Sequence, residues 1–318
     1  MTERALHVVF GAGQIGTPLA RLLQSRGHEV RLVRRSGGGP EGVPVLHGDA
    51  GDPAFAAEAA RGASVIYHCM NPAYDAKVWA RELPRILQSL VAAAGRAGAR
   101  LVVLDNLYAL GRPGGKPLSE DSPVAPASRK GEIRARVSEQ LFEAHRSGRV
   151  HAVSGRASDF YGPGGTATYF GDTFWPKALK DGVAQVFANP DTPHTYHYTL
   201  DVAAGLATLA EAPDDLTGRW WMLPAAPAES TRALIARLGG ALGRELRVQR
   251  MPKAMLALAG LFVPLVREVL EMTYQWDKSF VTDDRQFRER FGATPTSLEA
   301  GARATVAWAL ERYRAKPA

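Results

Sequence analysis

Short apolar runs alternate with longer stretches in which apolar residues recur every three or four positions, and this alternation fills the first half of the chain. Residues 7–10 read as a buried strand, Leu19, Leu22 and Leu23 as the inner face of a helix, and residues 30–33 as a second strand. Further strands are predicted over 43–46, 63–68, 100–104 and 150–156. Helices are predicted between them over 53–60, 74–97 and 129–145, and the first long one carries Val78, Trp79, Leu83, Ile86, Leu87, Leu90 and Val91 at helical spacing. Strands alternating with helices predict an α/β fold built on a parallel sheet. Beyond about residue 165 the pattern weakens. Short strands over 185–188, 218–223 and 246–250 mix there with helices interrupted by proline.

The turn after the first strand carries Gly11, Gly13 and Gly16 in the spacing G-x-G-x-x-G, with Gln14 and Ile15 opening the helix. Between a strand and a helix this spacing has a chemical reason: a tight turn at Gly11, room for a pyrophosphate at Gly13, and close helix–strand packing at Gly16. The phosphates would sit on the free N–H groups at the positive end of the helix dipole. The second strand ends in Arg34-Arg35, where NAD-binding folds place an acid that accepts from the ribose hydroxyl. A guanidinium suits a 2′-phosphate better, so the expected cofactor is NADP(H), with NAD(H) second. Asp49, after the third strand, is placed to reach the adenine, and Met70 and Asn71, after the fourth, to line the cofactor.

Composition narrows the picture further. In 318 residues, 46% are apolar and 22% charged, as in an ordinary globular protein. The net charge of +7 is spread along amphipathic helices with no basic stripe, which excludes a nucleic-acid binder. A single cysteine, Cys69, fits a reducing, cytoplasmic setting. The apolar run 254–266 is too short for a bilayer and contains Pro264, so no membrane partner is expected.

The order of these pieces resembles the extended short-chain dehydrogenase/reductases, the NAD-dependent epimerase/dehydratase family. The marks are Gly11 to Gly16; Gly48-Asp49; Leu118-Ser119-Glu120-Asp121-Ser122-Pro123 with Pro126; Gly155-Arg156 through Tyr161-Gly162-Pro163-Gly164; and His197-Tyr198-Thr199-Leu200-Asp201-Val202-Ala203. The resemblance implies a doubly wound, mainly parallel Rossmann sheet over 1–165, with later segments (about 190–225) crossing back to it. A smaller mixed α/β substrate-binding region is implied over 166–318. It also implies Ala157 and Ser158 beside the cofactor, and a homodimer pairing the two long helices.

The family's Ser or Thr, Tyr, and Lys four residues later are missing. Their places fall on Asn106, Lys130 and Arg134, and no tyrosine occurs between Pro113 and Phe160. Candidate replacements are Tyr108 or Lys130 as proton donor, Asn106 polarising a carbonyl oxygen, and Arg134 beside them. Alternatively, Lys130 and Arg134 are first-turn residues on an exposed helix face. For the substrate, Asp159, Tyr161, Phe174 and Trp175 are the candidates, although these aromatics equally suit a core. His194 and His197 flank Tyr196 in a segment that the resemblance places near the pocket rim, so no metal is expected. Three functions fit: an NADP(H)-dependent oxidoreductase acting on a small carbonyl or alcohol, a nucleotide-sugar epimerase or dehydratase, and a catalytically silent NADP(H)-binding sensor.

Overall fold

A computed structural model describes residues 5–187, 189–251, 260 and 262–313. Position 188 and most of the apolar run at 254–266 lie outside the described residues. The chain divides into two compact units. The first comprises Met1–Gly111, Val124–Ala157 and Val202–Leu223. The second comprises Arg112–Pro123, Ser158–Asp201 and Pro224–Ala318, so the boundary expected at 165 falls inside it.

The first unit is the predicted doubly wound α/β fold. Its seven strands are β1 (Leu6–Phe10), β2 (Glu29–Arg34), β3 (Val45–His47), β4 (Ala63–His68), β5 (Arg100–Asn106), β6 (His151–Ala157) and β11 (Trp220–Met222). They lie in the order β11-β6-β5-β4-β1-β2-β3, with all neighbours parallel. Val8, Val9 and Phe10 are wholly buried, as a strand covered by helices on both faces requires. The strand order reverses between β1 and β4, and ligands of such sheets bind outside the strand ends at that switch.

Helix α1 (Gly16–Ser25) follows β1, and the long helices α3 (Ala76–Ala97) and α4 (Arg129–Arg146) pack along one another. The sequence reading started α3 two residues early. Asp75 caps it, accepting from the backbone N–H groups of Lys77 and Val78, which leaves Tyr74 ahead of the helix. Ser128 caps α4 in the same way through Gly131.

The second unit holds three two-stranded pairings, β7 (Asp159–Tyr161) with β10 (Tyr196–Tyr198), β8 (Val183–Val186) with β13 (Arg247–Arg250), and β9 (Pro193–His194) with β12 (Glu229–Ser230). Its core is aromatic. Tyr161, Phe170, Phe174 and Trp175 pack with Leu234, Leu238 and Val306.

Candidate active site

The glycine turn is shaped by close approaches. Gly11 has φ of +110°, and a Cβ there would stand 2.8 Å from the Cys69 carbonyl oxygen. A Cβ on Gly16 would stand 1.7 Å from the Gly11 oxygen, so only glycine lets the turn close on its own helix. Gly13 is the opposite case: it is exposed, with open space where its side chain would be. No side chain caps the first N–H groups of α1, no acid lies in its first turn, and the buried Oε1 of Gln14 has no partner. These features fit a pyrophosphate on the helix end, against the buried Ile15.

Arg34 ends β2 and folds over the following turn, donating to the Gly38 carbonyl, with Arg35 exposed beside it. Asp49 is engaged by a residue the sequence reading did not single out. Its Oδ2 lies 2.9 Å from Nη2 of Arg85 on α3, and the pair is solvent-exposed. Across the switch point, the Met70 N–H donates to Nδ1 of His68 at 3.2 Å. Burial, reinforced by Arg134, lowers the pKa of His68 to about 4, so its ring is neutral and an acceptor. Burial pushes the Cys69 thiol up to about 12, leaving it protonated and unreactive.

Asn106, Tyr108, Lys130 and Arg134 are brought together within the first unit. The exposed-face alternative for Lys130 and Arg134 is overturned, since Lys130 is 0% and Arg134 7% exposed. Glycine at position 131 is the reason. A Cβ there would lie 2.5 Å from the Tyr108 carbonyl oxygen, so the first turn of α4 presses directly on the segment after β5. Asn106 Oδ1 accepts from the Tyr108 N–H at 3.0 Å, which fixes the side chain by its oxygen. Arg134 is engaged by internal partners. It donates to Asp105 at 3.2 Å and to Asn71 at 2.9 Å, and its guanidinium lies 4.7 Å over the Trp79 ring.

Two side chains that sequence reasoning missed complete this cluster. Tyr74 Oη lies 3.1 Å from Tyr108 Oη, and Lys130 Nζ lies 4.9 Å from the centre of the Tyr74 ring. Arg156, 1% exposed, reaches the other oxygen of Asp105 at 3.3 Å. Tyr74 carried no signal beyond its place ahead of a capping aspartate. Asp105 looked like an ordinary strand-end residue, and Arg156 was marked only by the Gly155-Arg156 resemblance.

In the second unit the aromatic candidates are corrected. Tyr161, Phe174 and Trp175 are 0%, 2% and 0% exposed in the core, so they form no accessible substrate wall. Asp159 stays partly exposed, and its Oδ2 lies 2.7 Å from Nε2 of His194. The His194 ring is sandwiched between Trp276 and Phe280. Ala157 is buried at the end of β6, and the Ser158 N–H donates to Nδ1 of His197 at 3.1 Å. Ser158 Oγ lies 3.4 Å from His194 Nε2. Among the described residues, no three His, Cys, Asp or Glu side chains gather as a metal site, and no helix is long and apolar enough to cross a membrane.

Fold and glycine cradle together define a dinucleotide-binding Rossmann protein. A model of the NAD dependent epimerase/dehydratase family matches residues 7–223, and the chain belongs to that family of enzymes. No curated protein sequence matches it. Among solved structures, it is similar to the dTDP-glucose 4,6-dehydratase DesIV of Streptomyces venezuelae with NAD and TYD bound. That match has TM-score 0.79 and 20% identity, covering 96% of this chain and 97% of that one. It is also similar to the Thermus thermophilus UDP-glucose 4-epimerase in complex with NAD, with TM-score 0.76 and 21% identity over 96% and 98% of the two chains. A third is UDP-glucuronic acid 4-epimerase from Bacillus cereus in complex with NAD, with TM-score 0.78 and 16% identity over 98% of each.

Proposed function

We propose that the protein is an NADP(H)-dependent oxidoreductase that moves hydride between the nicotinamide and a small carbonyl or alcohol substrate. The observation that carries this reading is the wholly buried Lys130, set against the tyrosine pair beside Asn106 at the carboxyl end of β5. Removing an ammonium from water is costly, and one kept there beside phenols suits a site that must hold developing negative charge.

When bound, the nicotinamide supplies or accepts the hydride. Gly11, Gly13, Gln14, Ile15 and Gly16 hold the pyrophosphate, Arg34 and Arg35 the 2′-phosphate, and Asp49 with Met70, Asn71, Ala157 and Ser158 the remaining cofactor contacts. The Asn106 amide polarises the substrate oxygen, Tyr108 exchanges a proton with it, and Lys130 offsets the charge left on the phenol. Arg134 holds the Asn71 loop against β5. The solved relatives carry NAD; the preference for NADP(H) rests on the arginine pair that ends β2.

The relatives' substrates favour a second reading, a nucleotide-sugar epimerase or dehydratase. Against it, the basic residues available for a diphosphate are dispersed. Lys177 pairs with Asp181 at 3.6 Å, and Arg219 stacks on Trp221. A homodimer through α3 and α4 and a cytoplasmic setting belong to the same proposal; the single cysteine suits the latter.

The test is NADPH consumption across a panel of small aldehydes and ketones, with UDP- and dTDP-sugars alongside. Carbonyl-dependent consumption, lost in Lys130→Ala, is expected. Conversion of the sugars without any carbonyl-dependent consumption would select the second reading.

A further inference from the structure

We propose that Tyr74 is a positioning residue for Tyr108, and that Tyr74, Tyr108 and Lys130 form one proton relay in place of the absent tyrosine–lysine motif. The proposal rests on the oxidoreductase reading above. In the family motif a single helix supplies both phenol and ammonium. Here three segments supply them: the residue before the α3 cap, the turn after β5, and the first turn of α4.

The geometry is held from several sides. Trp79 stacks on Tyr108 with ring centres 6.1 Å apart and meets Tyr74 edge-on at 5.4 Å, so one indole fixes both phenols. The hydroxyls meet at 3.1 Å, and Lys130 faces the Tyr74 ring. Other charged groups nearby are Arg134 from α4, over Trp79, and Asp105 paired with Arg134 and Arg156. Asp75, next to Tyr74, caps α3.

The proton balance follows. In carbonyl reduction the carbonyl carbon gains a hydride from the reduced dinucleotide, and its π pair moves onto oxygen. That oxygen takes the Tyr108 proton, giving the alcohol, the oxidised dinucleotide and a Tyr108 phenolate. The Tyr74 hydroxyl then donates to the phenolate with the Lys130 charge facing the pair, and solvent returns the proton. Alcohol oxidation runs in reverse, with the Tyr108 phenolate as base. A hydrogen bond donated to the charged form lowers the pKa of the group that carries it.

The relay is readable in the free protein because burial pushes most other phenols up. Six of the nine tyrosines are shifted in this way: Tyr67, Tyr161, Tyr169, Tyr196, Tyr198 and Tyr313. The experiment follows phenolate absorbance of the cofactor-free protein against pH in wild type, Tyr108→Phe, Tyr74→Phe and Lys130→Met. The pH profile of alcohol oxidation at saturating NADP⁺ is recorded beside it.

An early-ionising phenol is expected in wild type, absent in Tyr108→Phe, and displaced upward by about one pH unit in Tyr74→Phe and Lys130→Met. The rise of alcohol oxidation with pH should move by the same amount in Tyr74→Phe, with KM for NADP⁺ unchanged. Tyr74→Phe keeps the ring and its packing, so a merely structural role would move neither curve. An ionisation unmoved in folded Tyr74→Phe overturns the relay. Absence of alcohol oxidation in wild type overturns the oxidoreductase reading instead, while the phenolate titration still decides the relay.

Discussion

Nη1 of Arg134 lies 3.2 Å from Oδ1 of Asp105, with each side chain only 8% exposed. Arg156 approaches the other carboxylate oxygen at 3.3 Å and donates to Ser138 at 2.8 Å. One carboxylate thus joins α4, β5 and β6 directly beneath Asn106. Arg134 is thereby an internal brace.

That brace makes a prediction about asymmetry. Arg134→Ala leaves Asp105 with Arg156, so its cost falls near or below about 3 kcal/mol, the low end for breaking a buried ion pair. Asp105→Ala leaves two buried guanidiniums without their shared counter-charge and is expected to cost more, about 4–5 kcal/mol. Arg134→Lys rescues little, because an ammonium cannot reach Asp105 and Asn71 with a planar fork. Urea unfolding of the three variants checks the order; equal losses for Asp105→Ala and Arg134→Ala would show that the carboxylate is not shared.

The glycine turn separates folding from binding. A Gly13 side chain meets open space, whereas one on Gly16 meets the Gly11 oxygen at 1.7 Å. Gly13→Val is therefore expected to keep wild-type stability within about 0.5 kcal/mol while weakening dinucleotide binding by about tenfold or more. Gly16→Ala is expected to destabilise the fold by about 1–3 kcal/mol. Thermal melts with and without dinucleotide distinguish the two, and Gly13→Val binding at wild-type strength would remove the pyrophosphate from this turn.

His68 predicts a pH response. Its pKa drops from 6.5 unfolded to about 4 folded, through burial first and Arg134 second, with Asp105 opposing. The unfolded chain therefore binds the proton first, so this contribution is complete above about pH 6.5 and is lost as pH falls toward 4. The slope attributable to His68 is about 1.4 kcal/mol per pH unit within that window. Protonation also removes the acceptor for the Met70 N–H. His68→Asn should flatten unfolding free energy against pH between 4 and 6.5 relative to wild type; an unchanged slope would place the acid sensitivity elsewhere, with His7 the next candidate.

Much of the fold was legible because its signals are local. The β1 run, the glycine spacing and the α3 stripe each act within a few residues, and the strand–helix alternation dictates a parallel sheet. The glycine turn was legible for the same reason. The chemistry was less so. Lys130 read either as a site residue or as a first-turn residue on an exposed face; its burial follows from Gly131, which lets α4 press on the Tyr108 carbonyl, a contact no periodicity encodes. Tyr74 meets Tyr108 only through the crossing of two loops. Tyr161, Phe174 and Trp175 failed as a substrate wall because an aromatic run reads alike in a pocket or a core, and the packing of Leu234 and Val306 against them decided it.

The central claim is a dinucleotide site that recognises a 2′-phosphate through Arg34, and equilibrium titration with NADPH and NADH tests it most directly. NADPH is expected to bind at least about tenfold more tightly, a difference of about 1.4 kcal/mol. Arg34→Ala is expected to erase that difference while leaving NADH affinity in place. Equal affinities in the wild-type protein, or tighter binding of NADH, would contradict the account.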